Sequence, residues 1–74
     1  MTRYFFSCEG AQTFDDQTGT ELPDDHCALM QAILNASEVM SDHAASFSET
    51  PFWRMTVRDN AKRVVCRLNF TIDR

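Results

Sequence analysis

The sequence predicts a small α+β domain in which two β-hairpins flank one amphipathic helix, in the order ββαββ. Alternating apolar and polar residues, typical of strands, occur near both ends of the chain, and apolar residues at every third or fourth position, typical of a helix, occur between them. A chain of 74 residues has room for one sheet and one helix. We therefore expect a single domain over residues 1–74, with the helix packed on one face of an antiparallel sheet.

The first hairpin is predicted from the aromatic start of the chain. Side chains alternate over about residues 2–8, and both faces of this strand carry a phenylalanine. The pair Glu9-Gly10 is a turn signal, so a short second strand is expected over about residues 11–15 with Phe14 as its apolar anchor. The polarity of this second strand suits the edge of a sheet.

The joint between the first hairpin and the helix spans residues 16–24 and is rich in acids. Its carboxylates lack the alternate spacing of a calcium loop, and adjacent His26 and Cys27 diverge by about 100° on a helix, so no metal site is expected. A mechanical role fits better: a glycine permits the turn, a leucine packs toward the core, a proline fixes the backbone and an aspartate caps the helix. These residues are Gly19, Leu22, Pro23 and Asp24.

A helix is predicted over about residues 24–45, because apolar residues recur at three- and four-residue intervals. Fraying is expected from about Ala44, followed by a polar connection that ends at Pro51. The stripe expected to face the sheet consists of Leu29, Ala32, Ile33, Ala36, Val39, Met40, Ala44 and Phe47.

The second hairpin is predicted over about residues 52–58 and 63–72, with a turn at residues 59–62. Its alternation gives the sheet one apolar and one basic face. The inward residues are expected to be Tyr4, Phe6, Trp53, Met55, Val57, Val64, Cys66, Leu68, Phe70 and Ile72, with Val65 outward. The outward face provides the candidate interaction surface, which consists of Arg3, Phe5, Phe52, Arg54, Arg58, Arg63 and Arg67.

Charge is distributed unevenly along the chain. Residues 1–50 hold one basic residue against nine acids, a balance of −8, whereas residues 51–74 hold six basic residues against two acids, a balance of +4. Such segregation can indicate nucleic-acid binding or self-association, but it is also typical of halves that neutralise each other within one fold. Three cysteines without C-x-x-C spacing indicate reduced thiols. No stretch resembles a bilayer span or a signal peptide, so a cytoplasmic location is expected.

Three motifs together resemble a known family. They are M-x-R-Y-F-F at residues 1–6, D-x-x-G-T-E-L-P-D at residues 16–24, and W-R-M-x-V-x-D at residues 53–59 followed by Arg63-Val64-Val65. The chain is similar along nearly its whole length to very short, uncharacterised bacterial proteins classed as a domain of unknown function. The resemblance implies a ββαββ unit and supplies no catalytic residues. Two departures are that the helix has no Lys or Arg and that Asp25 stands where the family usually has an apolar residue.

A looser architectural likeness is to the antitoxins of small bacterial toxin pairs, supported only by Leu22-Pro23-Asp24 and the alanines at positions 28, 32 and 36. Arginines interleaved with phenylalanines on the sheet could hold nucleic acid, or the phenylalanines could be buried against a second copy. Neither Cys27 with His26 nor Cys66 with His43 has a recognisable orienting group, so no enzyme activity and no cofactor are expected. We expect a non-enzymatic protein-interaction or regulatory module that forms a homo-oligomer or binds another protein, with a nucleic-acid-binding or antitoxin-like regulator as the alternative.

Overall fold

The computed structural model describes residues 1–74 and contains four strands and two helices. The strands form one antiparallel sheet in the order β2-β1-β3-β4, and α1 packs against one of its faces. This confirms the predicted fold class. The elements are β1 (Thr2–Gly10), β2 (Thr20–Leu22), α1 (Asp25–Asp42), α2 (Ala44–Glu49), β3 (Phe52–Arg58) and β4 (Val64–Thr71).

The second strand lies within the joint, at Thr20–Leu22, rather than at the predicted residues 11–15. The turn expected at Glu9-Gly10 is absent because β1 continues through Gly10, which pairs with Trp53 of β3. Residues 11–15 contribute only an isolated bridge, between Cys8 and Phe14. Phe14 is 59% exposed and anchors nothing in the core.

Asp16 provides hydrogen-bond acceptors along the edge of β1, in the gap between β2 and the Cys8–Phe14 bridge. Its carboxylate accepts hydrogen bonds from the backbone N–H groups of Phe6, Thr18 and Gly19, each at 3.0 Å. Desolvation acts to raise the pKa of this carboxyl, but the three N–H donors outweigh it and hold the pKa below its usual range. The side chain of Asp16 thus takes the place of a neighbouring strand.

The remaining joint residues fix the start of α1. Gly19 has φ +77, and a Cβ there would lie 2.7 Å from Cγ of Arg3, so a larger residue would be both strained and crowded. Leu22 is half-buried against the core. Asp24 caps α1 by accepting a hydrogen bond from the N–H of Cys27 at 2.8 Å.

The core lies between α1 and the inner face of the sheet. Only three residues of α1 are buried, Ala28, Ala32 and Ala36, and they recur every fourth position. Small side chains let the helix approach the large residues of the sheet closely. Ile33, which the sequence predicts in the inward stripe, is instead 50% exposed. The other buried residues are Tyr4, Phe6, Phe47, Trp53, Met55 and Val57.

The predicted polar connection after α1 is a second short helix. The chain leaves helical geometry at His43 (φ −127, ψ 35), and α2 then carries Phe47 into the core. The ring of Phe47 lies 5.6 Å from that of Trp53 and 5.4 Å from that of Phe70, measured between centroids. These aromatic contacts explain why the segment folds back on the sheet instead of remaining a loop.

A β-bulge near the start of β4 reverses two predicted orientations. Val57 pairs with Cys66, but Arg58 pairs with Val64, so Val65 is the extra residue. Val65 packs against the core, whereas Val64 shares the outer face with Arg58. A shift of one residue moves side chains to the opposite face, which alternation alone does not reveal.

Candidate interaction surface

The seven residues proposed from the sequence do not form one continuous patch. Phe5 pairs with Arg58 near one end of the β1–β3 ladder, whereas Phe52 lies beside Gly10 at the other end. The two phenylalanines therefore do not provide a shared stacking platform. Phe5 is only partly exposed, and Gly19 of the joint lies close to its ring.

Two arginines of the outer face already have partners. Arg3 forms an ion pair with Glu21 at 3.1 Å. Arg54 pairs with Glu9 at 3.5 Å, and its guanidinium lies 5.5 Å from the ring centroid of Phe52. The Arg54–Glu9 pair joins the acidic and basic parts of the chain, as expected for halves that neutralise each other. Arg58 and Arg67 form no ion pair.

Arg63 lies on the helix side of the molecule, not on the outer face predicted for it. Its guanidinium bonds Asp25 at 2.9 Å and Asp59 at 3.0 Å. Asp25 also accepts a hydrogen bond from the buried Tyr4 hydroxyl at 2.7 Å. The bonds from Arg63 and Tyr4 lower the pKa of Asp25. An acid at position 25 therefore has a structural role, since it connects the start of α1 to β1 and to the turn that precedes β4.

The solvent-facing side of α1 carries the largest group of exposed apolar side chains. Met30 is 53% exposed, Ile33 50% and Leu34 59%, and their spacing places them on one side of the helix. We define the outer stripe of α1 as these three residues together with Ser37 and Ser41, which continue the same side toward the C-terminus. The stripe lies opposite the buried alanines.

The outer stripe has no charged residue. The hydroxyl of Ser37 donates to the backbone carbonyl of Ile33 at 2.9 Å, so it is satisfied within the helix. The acids Glu38 and Asp42 flank the stripe or lie farther round the helix. A partner surface could therefore cover the stripe without burying a charge. Burying an unpaired charge carries a large desolvation cost when an interface forms.

A groove of about 330 Å³ lies between α1 and the segment that precedes β2. Cys8 and His43 both line it, next to Phe14 and Val39. Burial raises the pKa of the Cys8 thiol, which disfavours the thiolate and makes the group a weak nucleophile at neutral pH. No group of three or more His, Cys, Asp or Glu side chains is placed to hold a metal ion.

The fold and surface define a small α+β domain whose helix is apolar on both of its sides. The model of a family described as a domain of unknown function, DUF6894, matches residues 3–71, and the chain belongs to this family. The resemblance drawn from the three motifs is thereby confirmed at the level of the family. Neither the curated proteins nor the solved structures include a match. Neither helix has the length and apolar character required to cross a membrane.

Sequence reasoning missed the outer stripe because it placed Ile33 in the inward stripe and assigned Met30 and Leu34 to neither side of the helix. A signal was nevertheless present. The alanines at positions 28, 32 and 36 form a continuous row of small residues, while Met30 and Leu34 lie on the other side of the helical wheel. Because small residues fit most closely against an aromatic-rich sheet, the alanine row is the one that faces inward, and Met30 and Leu34 then face outward.

Proposed function

We propose that this protein is a non-enzymatic protein-interaction or regulatory module that self-associates through the outer stripe of α1. The observation that carries the proposal is the exposure of Met30, Ile33 and Leu34 together on one side of a helix whose opposite side already packs against the core. Grouped apolar side chains on a small domain mark interaction surfaces, whereas scattered ones do not.

Covering the stripe would be favourable. Complete burial of a Met, Ile or Leu side chain contributes about 1.5–3 kcal/mol relative to full exposure, and about half of this gain remains to be realised at each of the three positions. Ordering of side chains and the loss of free rotation oppose that gain. A weak, concentration-dependent association is the expected result.

Sedimentation velocity of the purified chain tests the proposal. The wild-type weight-average mass should rise between about 10 µM and about 1 mM, because contacts of this size give weak complexes. Leu34→Glu should remain monomeric over this range. Phe14→Glu is the matched control, since Phe14 and Leu34 are both 59% exposed but only Leu34 belongs to the stripe.

Two results would refute this function. One is a wild-type chain that stays monomeric throughout the concentration range. The other is a Leu34→Glu chain that associates as well as Phe14→Glu does. Circular dichroism and the urea midpoint of each variant establish that the comparison is made between folded proteins.

The alternative is nucleic-acid binding by the outer face of the sheet. Arg58 and Arg67 support it, because neither is neutralised by a carboxylate and both belong to the outer face. Titration of mixed-sequence single-stranded RNA at several salt concentrations tests this idea. Salt-sensitive binding that weakens in the Arg58→Ala, Arg67→Ala double variant would favour it over self-association as the main function.

A cytoplasmic setting accompanies the proposal. Cys8, Cys27 and Cys66 are all free thiols, as expected for a protein that works in a reducing compartment.

A further inference from the structure

We infer that the partner surface is the same outer stripe on a second copy, with the two α1 helices packed antiparallel about a two-fold axis that passes between Ile33 and Leu34. This inference rests on the proposed function and adds which surface of the second copy is bound and in which orientation. Such an arrangement is isologous, so it closes as a dimer and leaves no further site for growth.

The stripe is sterically complementary to itself. Its N-terminal half carries the bulky residues Met30, Ile33 and Leu34, and its C-terminal half carries the small residues Ser37 and Ser41. Antiparallel pairing about the stated axis places Met30 of one copy on Ser37 of the other and sets Ile33 beside Leu34. Met30 then meets a small residue, Ile33 meets Leu34 at the centre, and Ser41 lies level with His26 of the second copy, an alternation of large and small side chains that suits ridges-into-grooves packing.

The hydrogen bonding of the stripe permits this burial. The hydroxyl of Ser37 already donates to the carbonyl of Ile33 at 2.9 Å, so covering it with Met30 of the second copy leaves no unsatisfied donor. Without that bond, burying a hydroxyl under an apolar side chain would oppose association.

The helix dipoles distinguish antiparallel from parallel pairing. Asp24 and Asp25 lie at the N-terminus of α1, and the helix contains no basic residue. Parallel pairing would bring like ends of the two helix dipoles together and would place Met30 against Met30. Antiparallel pairing brings opposite ends of the helix dipoles together. It sets Asp25 level with Asp42 of the second copy, but Asp25 lies on the sheet side of α1, where Arg63 of its own chain pairs with it at 2.9 Å.

The other surfaces of a second copy are poorer partners for the stripe. Outside α1, the exposed large apolar residues are Met1, Phe14 and Phe52, which belong to different parts of the chain. The outer face of the sheet carries the ion pairs of Arg3 and Arg54, which an apolar partner would have to desolvate. The stripe itself is the uncharged apolar surface that a second copy offers.

The expected contact is small. A helix face about 27 Å long and about 10 Å wide covers on the order of 300 Å² per copy, well below the roughly 800 Å² of a standard interface. Dissociation constants in the high micromolar range are therefore expected, and measurements must extend to about 1 mM.

A charge-pair experiment tests the orientation and the register. Met30→Lys alone and Ser37→Glu alone should each weaken dimerisation by about tenfold, because each buries a charge opposite an uncharged residue. Combining Met30→Lys with Ser37→Glu should recover most of the wild-type affinity, since each lysine then meets a glutamate of the other copy. Met30→Lys with Ser41→Glu is the matched control and should not recover, because residue 41 lies about one helical turn from the contact.

Mixing experiments separate the remaining arrangements. Met30→Lys mixed with Ser37→Glu should form heterodimers in the antiparallel arrangement. Met30→Lys mixed with Met30→Glu should do so only in a parallel arrangement, which would overturn the inference. Failure of the Met30→Lys, Ser37→Glu chain to recover would also overturn it. Dimerisation of the wild type that Leu34→Glu abolishes would still uphold the proposed function, whereas a monomeric wild type would reject both.

Discussion

The two sides of α1 are both apolar, yet only one of them is buried. The inner side packs against the sheet through Ala28, Ala32 and Ala36, whereas the outer side exposes Met30 and Leu34. Hydrophobicity alone would favour burying the larger residues, because they remove more area from water. The difference shows that the size of the residues already on the sheet decides which side of the helix fits.

The sheet leaves little room above its inner face. Trp53, Tyr4 and Phe6 are nearly inaccessible there, and Phe47 of α2 fills the adjoining space. A helix that placed Met30 and Leu34 over these aromatic residues would have to stand farther away and would leave voids around them. The alanine row avoids both costs, and the large residues become available for another surface.

The largest expected effect comes from adding bulk to the inner side. Ala32→Leu should lower the free energy of unfolding by about 2–3 kcal/mol, because the site is fully buried and has no space for three more carbons. Leu34→Ala, on the outer side, should change it by less than about 0.5 kcal/mol. Urea denaturation of dilute, monomeric samples measures both. Equal destabilisation by the two variants would contradict the assignment of the two sides.

The joint determines where α1 begins and therefore which side meets the sheet. Gly19→Ala should cost about 1–3 kcal/mol, because alanine is strained at a positive φ and its Cβ would crowd Arg3 and Phe5. Thr18→Ala, at the preceding exposed position, should be nearly neutral and serves as the control. The urea midpoints of the two variants provide the measurement. Indistinguishable midpoints would show that the joint does not require glycine at position 19.

Acid should loosen the N-terminal attachment of α1 to the sheet. The bond from Arg63, followed by that from Tyr4, lowers the pKa of Asp25, and capping by the Cys27 N–H lowers that of Asp24. A lowered folded-state pKa means that the stabilisation is present above the unfolded value, near pH 3.9, and is lost as pH falls through the folded values. Thermal unfolding between about pH 2 and pH 6 should show this loss, with a shallower slope in Asp25→Asn. A wild-type slope equal to that of Asp25→Asn would show that Asp25 does not contribute.

The smallest effect should come from substitutions at Ser37, one of the two small residues at the C-terminal end of the outer stripe. Ser37→Ala should raise stability by up to about 0.5 kcal/mol through helix propensity and should preserve self-association, because size rather than the hydroxyl matters there. Ser37→Leu should instead weaken self-association, since Met30 of the second copy would lose its space. Sedimentation velocity and thermal unfolding distinguish the two variants. A large loss of association in Ser37→Ala would indicate that the hydroxyl itself is recognised.

Much of the fold follows from local pattern. The ββαββ order, the strand at the start of the chain, the N-cap at Asp24 and the inward positions Trp53, Met55 and Val57 were all predicted from alternation, helical spacing and capping chemistry. These features depend on residues close together in the chain. Local sequence therefore carries enough information to specify them.

The candidate surface was predicted less well because it depends on contacts between distant segments. Arg63 is turned toward Asp25 by a bulge, and Phe5 and Phe52 are separated along the β1–β3 ladder by strand register. Neither register nor bulges follow from alternation within a single strand.

The sequence by itself determined the types of element, their order and the chemistry of the joint, because each depends on backbone preferences within a few residues. Only the tertiary structure decided that β2 lies at Thr20–Leu22, that α2 returns Phe47 to the core, and that α1 buries alanines while exposing Met30 and Leu34. Those outcomes follow from the volume available above an aromatic sheet and from the pairing of β1 with β3 through Gly10. Both are properties of the assembled chain, and neither is present in any one segment.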